Sequence, residues 1–179
     1  MLYSITAARS TRQLAENRIT HILSVCSDPI PAEVPEAGIV HQRIIIEDAD
    51  YADLLIHLPA SCRFIESALS SGGDILVHSV QGTSRSAAVV AAYFMYSRRI
   101  NSTQALDLIR TARNYVWPNP GFQEQLVLFE LCHYAPSPSN AIYVNWHSKL
   151  ERKLRAAGLP SLADTTGKES SAMTSVDRS

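Results

Sequence analysis

The most informative residues in the chain are Val77-His-Ser-Val-Gln-Gly-Thr-Ser-Arg-Ser-Ala87. Ile75-Leu-Val77 is a short apolar run suited to a buried strand, the chain turns polar at His78, and Gly82 lets a loop turn back before a helix begins near Arg85. A strand that ends in such a loop and feeds a helix aims several backbone N–H groups at one point, which makes a cradle for an anion. Arg85 sharpens the cradle, because a planar guanidinium holds two oxygens of a phosphate at once and keeps its charge. A tetrahedral dianion is the expected guest. On residue types alone, an ordinary polar loop capping a helix explains Gly-Thr-Ser-Arg-Ser equally well.

Outward from this loop, Ser86 to Ser97 is small and apolar, as a central helix packed on all sides would be. Upstream, Thr11–Asn17 reads as a short helix and Ile19–Val25 as a β-branched strand, broken by Asp28-Pro-Ile-Pro31. Val40–Ile46 is a second strand, and its unbroken Ile44-Ile45-Ile46 predicts cover on both faces. An acidic loop, Glu47–Asp53, follows. Leu54 to Leu69 has helical spacing, with Pro59 kinking or restarting the helix and Gly72-Gly73 ending it. Downstream, Asn101-Ser102 caps a helix running through Arg113, and Pro118-Asn-Pro-Gly121 turns into an amphipathic helix, Phe122–Tyr134. This alternation predicts an α/β domain, a central and mostly parallel sheet flanked by helices.

Composition bounds the rest. The chain has 179 residues, 46% hydrophobic and 18% charged, which fits one domain of this kind. With 17 acidic and 16 basic residues it has no basic surplus for nucleic acid, so any anion is held locally. No apolar run reaches the ~20 residues of a membrane span, and Met1 to Thr6 shows no secretory signal, so a cytoplasmic or nuclear location is expected. Cys26, Cys62 and Cys132 are too scattered for a disulfide framework or a zinc site and read as small buried residues. No metal or other cofactor is expected. Tyr115, Trp117 and Trp146 are assigned to the core in preference to lining a substrate surface, and Arg98 and Arg99 to complementing a helix dipole in preference to attracting a second phosphate. The domain is expected over residues 1–135. A helical extension over 136–157 follows the Pro136-Ser-Pro-Ser139 boundary and has a basic end, Lys149–Arg155, read as a solvated face in preference to a dock for an acidic partner. Residues 158–179, Ser/Thr-rich and free of aromatics, have the composition of a disordered tail.

A family resemblance follows from these residues. His78, Gly82, Arg85 and Ser86 resemble the His-Cys-x5-Arg-Ser/Thr signature of the cysteine-dependent protein tyrosine phosphatases, and the Gly-x-Ser-Arg-Ser ending is similar to the dual-specificity branch. Ser79 stands where that family has its nucleophilic Cys. Ile45-Ile-Glu-Asp48, with Asp53–Leu58 and Phe64-Ile65 beyond it, resembles the family's general-acid loop and helix; Asp48 precedes Ser79 by 31 positions. Pro118-Asn-Pro-Gly-Phe122 and Gln125-Leu126 are similar to the Pro-Asn-x-Gly-Phe-x-x-Gln-Leu element that buttresses the phosphate loop. The likeness spans Leu14 to Cys132 and implies a protein tyrosine phosphatase-like fold. It also implies an opening strand, for which Leu2-Tyr-Ser-Ile5 is available, and leaves room for a longer natural N-terminus.

The resemblance implies roles as well. Val80, Gln81, Gly82, Thr83, Ser84 and Arg85 would bind the phosphoryl group, with Arg85 following its charge into the transition state. Asp48 would protonate the leaving oxygen and later activate water, with Asp50 and Asp53 as the other acids of the loop. His78 would orient the loop from beneath, in preference to serving as a base. Ser86 would hydrogen-bond the nucleophile or simply cap the helix, and Asn119 would tie the turn to the loop or be a plain turn residue. The implied partner is a phosphorylated protein, carrying phosphotyrosine or phosphoserine/phosphothreonine, bound by a monomer. Val80, Gln81 and Thr83 are not basic, which weighs against an inositol lipid. A hydroxyl without a neighbouring base is a weak nucleophile, so Ser79 predicts binding without turnover. Two accounts fit: an enzyme whose Cys was changed to Ser, or a natural pseudophosphatase. The retained Asp48 favours the first.

Overall fold

Runs of β-branched and aliphatic residues make the sheet. In the computed structural model, which describes residues 2–162, four strands form: β1 (Leu2–Ser4), β2 (Ile19–Val25), β3 (Val40–Ile44) and β4 (Asp74–Ser79). They lie in the order β1-β4-β2-β3, and each neighbouring pair is parallel. The expected tail falls largely on residues 163–179, outside the described residues. Among the described residues seven α-helices surround the sheet: α1 (Ile5–Arg9), α2 (Thr11–Glu16), α3 (Leu58–Ser70), α4 (Arg85–Arg98), α5 (Ser102–Ala112), α6 (Pro120–Leu131) and α7 (Ala141–Ala156).

Side chains alternate across a strand, so consecutive residues serve different faces. Leu23, Val25, Ile75 and Val77 join the larger core with α3, α4, α5 and α6. Ile22, Cys26 and Leu76 join a smaller core with Ile5, Ala8 and Leu14 from α1 and α2. The same alternation places Ser24 and His78 on the smaller-core side and sends Ser79 toward the larger one. Helix α4 runs through the larger core, with Ala87, Ala88, Val89, Ala91, Ala92 and Met95 all buried, which is why its sequence is so small and apolar.

Several expected boundaries move. β3 stops at Ile44, and Ile45 is exposed, because β3 is an edge strand and the chain leaves the sheet there; the expected double cover of Ile44-Ile45-Ile46 is corrected. Pro59 sits in the first turn of α3, after a 3-10 turn at Leu55–His57, so it restarts the helix and does not kink it. Helix α6 begins at Pro120, with Asn119 as its N-cap, and ends at Leu131 instead of Tyr134, where His133 and Tyr134 take left-handed φ values. Helix α7 is part of the same body. Its Tyr143 and Trp146 are buried in the larger core, and Tyr143 Oη donates to Asp53 Oδ2 at 2.6 Å.

Candidate functional site

β4 delivers the chain to the C-terminal edge of the parallel sheet, where loops of α/β domains place their binding groups. The loop 80–84 then returns to the N-terminus of α4. Gly82 makes the return with φ 73°, a left-handed conformation that glycine adopts without a Cβ penalty. Val80 and Gln81 are exposed, Gly82 and Ser84 are buried, and Arg85 opens α4. The predicted phosphate-loop residues therefore form one continuous turn over a helix N-terminus.

Ser79, at the end of β4, is buried. Its Oγ lies 3.0 Å from Ser86 Oγ and accepts from Ser86 N at 3.4 Å. His78 points the other way, as strand alternation requires. Its Nε2 lies 2.7 Å from Ser24 Oγ, which in turn lies 2.8 Å from His41 Nε2. One hydroxyl proton cannot serve both rings, so at least one imidazole donates to Ser24. Burial, then the charges of Arg43 and His41, push the His78 imidazole down to about 4, and burial also lowers His41. His78 is thus a neutral ring fastened to Ser24 on the face opposite the Ser79 hydroxyl.

Asp48 meets the loop from the opposite direction. Its Oδ1 accepts from Ser84 Oγ at 2.6 Å and from Asn119 Nδ2 at 2.8 Å. Its Oδ2 is 3.8 Å from Arg85 Nε, and Arg85 Nη1 donates to Ile46 O at 3.1 Å. Asp48, Ser84, Arg85 and Asn119 therefore converge, with the guanidinium lodged between the acidic loop and the turn. Asp50 and Asp53 lie apart from this cluster: Asp53 caps Ile56 N and holds Tyr143, while the Asp50 backbone packs on Gly121.

Asn119 does more than a turn residue would. Its backbone N–H donates to Ser84 Oγ at 3.1 Å, its Oδ1 caps α6 through Phe122 N at 2.9 Å, and its amide reaches Asp48. Gln125, which the resemblance assigns to the buttress of the phosphate loop, in fact holds the acidic loop. Its Oε1 accepts from Leu54 N and Leu55 N, both at 2.8 Å, and its Nε2 donates to Ala52 O at 2.8 Å. Gly121 is equally specific, since a Cβ there would meet Asp50 O at 1.9 Å.

Three features escaped the sequence reading. Ser24 and His41 lie outside the expected site residues, and a lone Ser inside the apolar run Ile22-Leu-Ser-Val25 is the available signal. Tyr115 and Trp117, expected in the core with a substrate surface as the alternative, are 83% and 67% exposed, because their segment runs along the surface beside the loop, which corrects the core reading; Trp146 is 9% exposed and does join the core. Arg98 and Arg99 end α4 as expected but lie over the rings of Phe94, Tyr96 and Tyr134. The three cysteines are buried and none lies in the loop; burial raises Cys132 and pushes the Cys62 thiol up to about 12, which leaves it unreactive. Among the described residues no group of His, Cys, Asp and Glu is arranged to hold a metal ion, and no helix is long and apolar enough to cross a membrane.

This geometry agrees with the comparisons to known proteins. The chain is 40% identical over 129 residues to dual specificity protein phosphatase MPK-4 of Drosophila melanogaster, covering 72% of this chain and 33% of that protein. It is 36% identical to human dual specificity phosphatase 28, covering 72% of each. A crystal structure of human DUSP28 superposes with a TM-score of 0.69 and 38% identity, covering 76% of this chain and 94% of that one. The crystal structure of human tyrosine phosphatase-like serine/threonine/tyrosine-interacting protein superposes with a TM-score of 0.67 and 27% identity, covering 75% of this chain and 92% of that one. The family described as "Dual specificity phosphatase, catalytic domain" matches residues 1–132, and with the loop, the parallel sheet and these relatives in agreement, the chain belongs to that family.

Proposed function

We propose that this chain carries a protein phosphatase site for phosphotyrosine and phosphoserine/phosphothreonine whose turnover is disarmed at Ser79. The single observation that carries the reading is the surroundings of the Ser79 hydroxyl. Among the described residues its hydrogen bonds are with Ser86 alone, and the adjacent imidazole of His78 is engaged by Ser24 on the other face. A hydroxyl without a base is a poor nucleophile, whereas a thiol in the same place would face loop amides, Arg85 and a helix N-terminus, which favour the thiolate.

With sulfur at position 79, the family chemistry runs in two steps. The thiolate attacks phosphorus as the substrate oxygen departs, taking the proton of Asp48; the carboxylate of Asp48 then takes a proton from water, whose oxygen attacks the phosphocysteine and frees phosphate and thiolate. Arg85 and the backbone N–H groups of residues 80–85 would hold the three phosphoryl oxygens throughout. Asn119 and Ser84 hold Asp48 in place for this role. With Ser79 the first step lacks its nucleophile, so the phosphoryl group is held and not transferred. A phosphorylated protein is the partner in this reading, bound by a cytoplasmic or nuclear monomer without a cofactor.

A second reading, a natural pseudophosphatase that binds phosphorylated partners, is favoured by the relative whose description names it phosphatase-like and interacting. The test is hydrolysis of a small aryl phosphate, at mildly acidic pH and without added metal, by this chain and by Ser79→Cys. Turnover by the variant alone supports the disarmed enzyme. Phosphate binding with no turnover by either protein replaces it with the pseudophosphatase.

A further inference from the structure

The segment between α5 and α6 is fastened along the phosphate loop at three points. Arg113 Nη2 donates to Gln81 O at 3.3 Å, Trp117 N to Thr83 O at 2.9 Å, and Asn119 N to Ser84 Oγ at 3.1 Å. From this pinned segment two large aromatic side chains stand in solvent. Tyr115 and Trp117 are the only aromatics among the exposed large hydrophobic residues of the described chain, and Val80, beside Ser79, is exposed with them. Trp117 is fixed at its ring as well as its backbone: the Arg110 guanidinium lies 4.8 Å from the ring centroid. Arg110 is held in turn by Val116 O at 3.2 Å and Asp107 Oδ1 at 3.1 Å.

Isolated exposed apolar residues are ordinary. Two aromatics on a tethered segment at the border of a ligand site are different. Their freedom is already restricted, so covering them costs little further ordering, and Trp and Tyr are the residue types that recognition surfaces favour. We propose that Tyr115 and Trp117 form a subsite for an apolar side chain flanking the phosphoresidue of the protein substrate. The occupant follows from continuity, because a polypeptide with its phosphoryl group on residues 80–85 carries its neighbouring residues across the adjoining segment. It follows from charge too: Val80, Gln81 and Thr83 are uncharged, Arg110 is committed to Asp107 and to the Trp117 ring, and Arg113, the other cation of the segment, is held on Gln81 O. The inference rests on the phosphate-loop reading above.

The test uses the chain as it stands and two phosphotyrosine peptides that differ only in carrying Leu or Ser on both sides of the phosphotyrosine. Binding is read by calorimetry and by tryptophan emission, in which the exposed Trp117 is distinguished from the buried Trp146. The Leu-flanked peptide is expected to bind about tenfold more tightly, as partial burial of an apolar side chain predicts. Trp117→Ala and Tyr115→Ala should each bring the ratio toward one. Equal binding of the two peptides, or a ratio that survives both substitutions, overturns the subsite. So does equal binding of the Leu peptide without its phosphate, or a Trp117 response to phosphatidylcholine/phosphatidylserine vesicles with no peptide preference. Arg85→Ala separates the two levels. If it abolishes binding of both peptides while their ratio on the unaltered chain is one, the subsite alone fails; if it changes neither, the phosphate-loop reading fails.

Discussion

Ser24 and His78 are register partners on neighbouring parallel strands, and the Ser24 hydroxyl sits 2.7 Å from His78 Nε2. Because the pair faces the smaller core, the residue that follows His78 must face the other side. One hydrogen bond thus anchors the base of the phosphate loop and leaves Ser79 free to address it.

The pair makes stability depend on pH. An imidazole held at about 4 in the folded chain, against its ordinary 6.5, binds fewer protons folded than unfolded between those values. Stability is therefore full above the unfolded value and declines as pH falls through the window toward about 4. His41, lowered by burial, adds to the decline. Urea midpoints measured across the window should fall with pH, and His78→Gln should flatten the slope. A slope that is the same in the variant refutes the assignment.

Gln125 binds three backbone groups beside the acidic loop, so Gln125→Leu leaves Leu55 N unpaired inside the protein and leaves Leu54 N and Ala52 O with only their 3.1 Å bond to each other. An orphaned buried N–H costs about 1–3 kcal/mol, and the unfolding free energy is expected to fall by that amount. Denaturant unfolding reads this directly; an unchanged midpoint would show that the acidic segment finds other partners.

Gly121→Ala tests the contact between α6 and the acidic loop. The added Cβ would collide with backbone, at Asp50 O, so the loop must shift, at about 1–3 kcal/mol of strain. Amide exchange over residues 48–53 should rise. In the Ser79→Cys background, aryl phosphate hydrolysis should drop, because Asp48 moves with the loop.

Asp48→Asn, also in the Ser79→Cys background, removes the proposed proton donor. The loss expected for a positioned general acid is about 10²–10⁴-fold. It should be largest for substrates whose leaving oxygen is most basic, phosphoserine above an activated aryl phosphate. A uniform loss across leaving groups would assign Asp48 a merely structural role. Chelator should leave the Ser79→Cys rate unchanged, since the proposed chemistry draws its positive field from Arg85 and the loop amides.

Much of this was legible in the sequence. Ile19–Val25 gave β2 at both ends, Asn101 gave the cap of α5, and Val77–Ala87 gave the strand, loop and helix start that the structure has there, because local chemistry controls each of them. Edges were harder. Ile44-Ile45-Ile46 looks doubly covered, yet the position of β3 at the sheet border depends on strand order, which no local pattern carries. Helix α1 has five residues, too few to display a period. Tyr115 and Trp117 read as core by residue type, while their exposure is set by a surface path fixed through Thr83 and Ser84. The contacts of Gln125 span some seventy residues of chain, and only the folded molecule brings them together.

The Tyr143 hydroxyl on Asp53 gives the molecule a seam between segments of different standing. Asp53 belongs to the acidic loop, within residues 1–132 that the family model matches, whereas Tyr143 comes from helix α7, beyond that match. A fragment trimmed at the family's edge would keep every residue of the phosphate loop and lose the clasp that steadies Asp53, together with the buried rings of Tyr143 and Trp146. The larger core therefore continues past the residues that the family model matches.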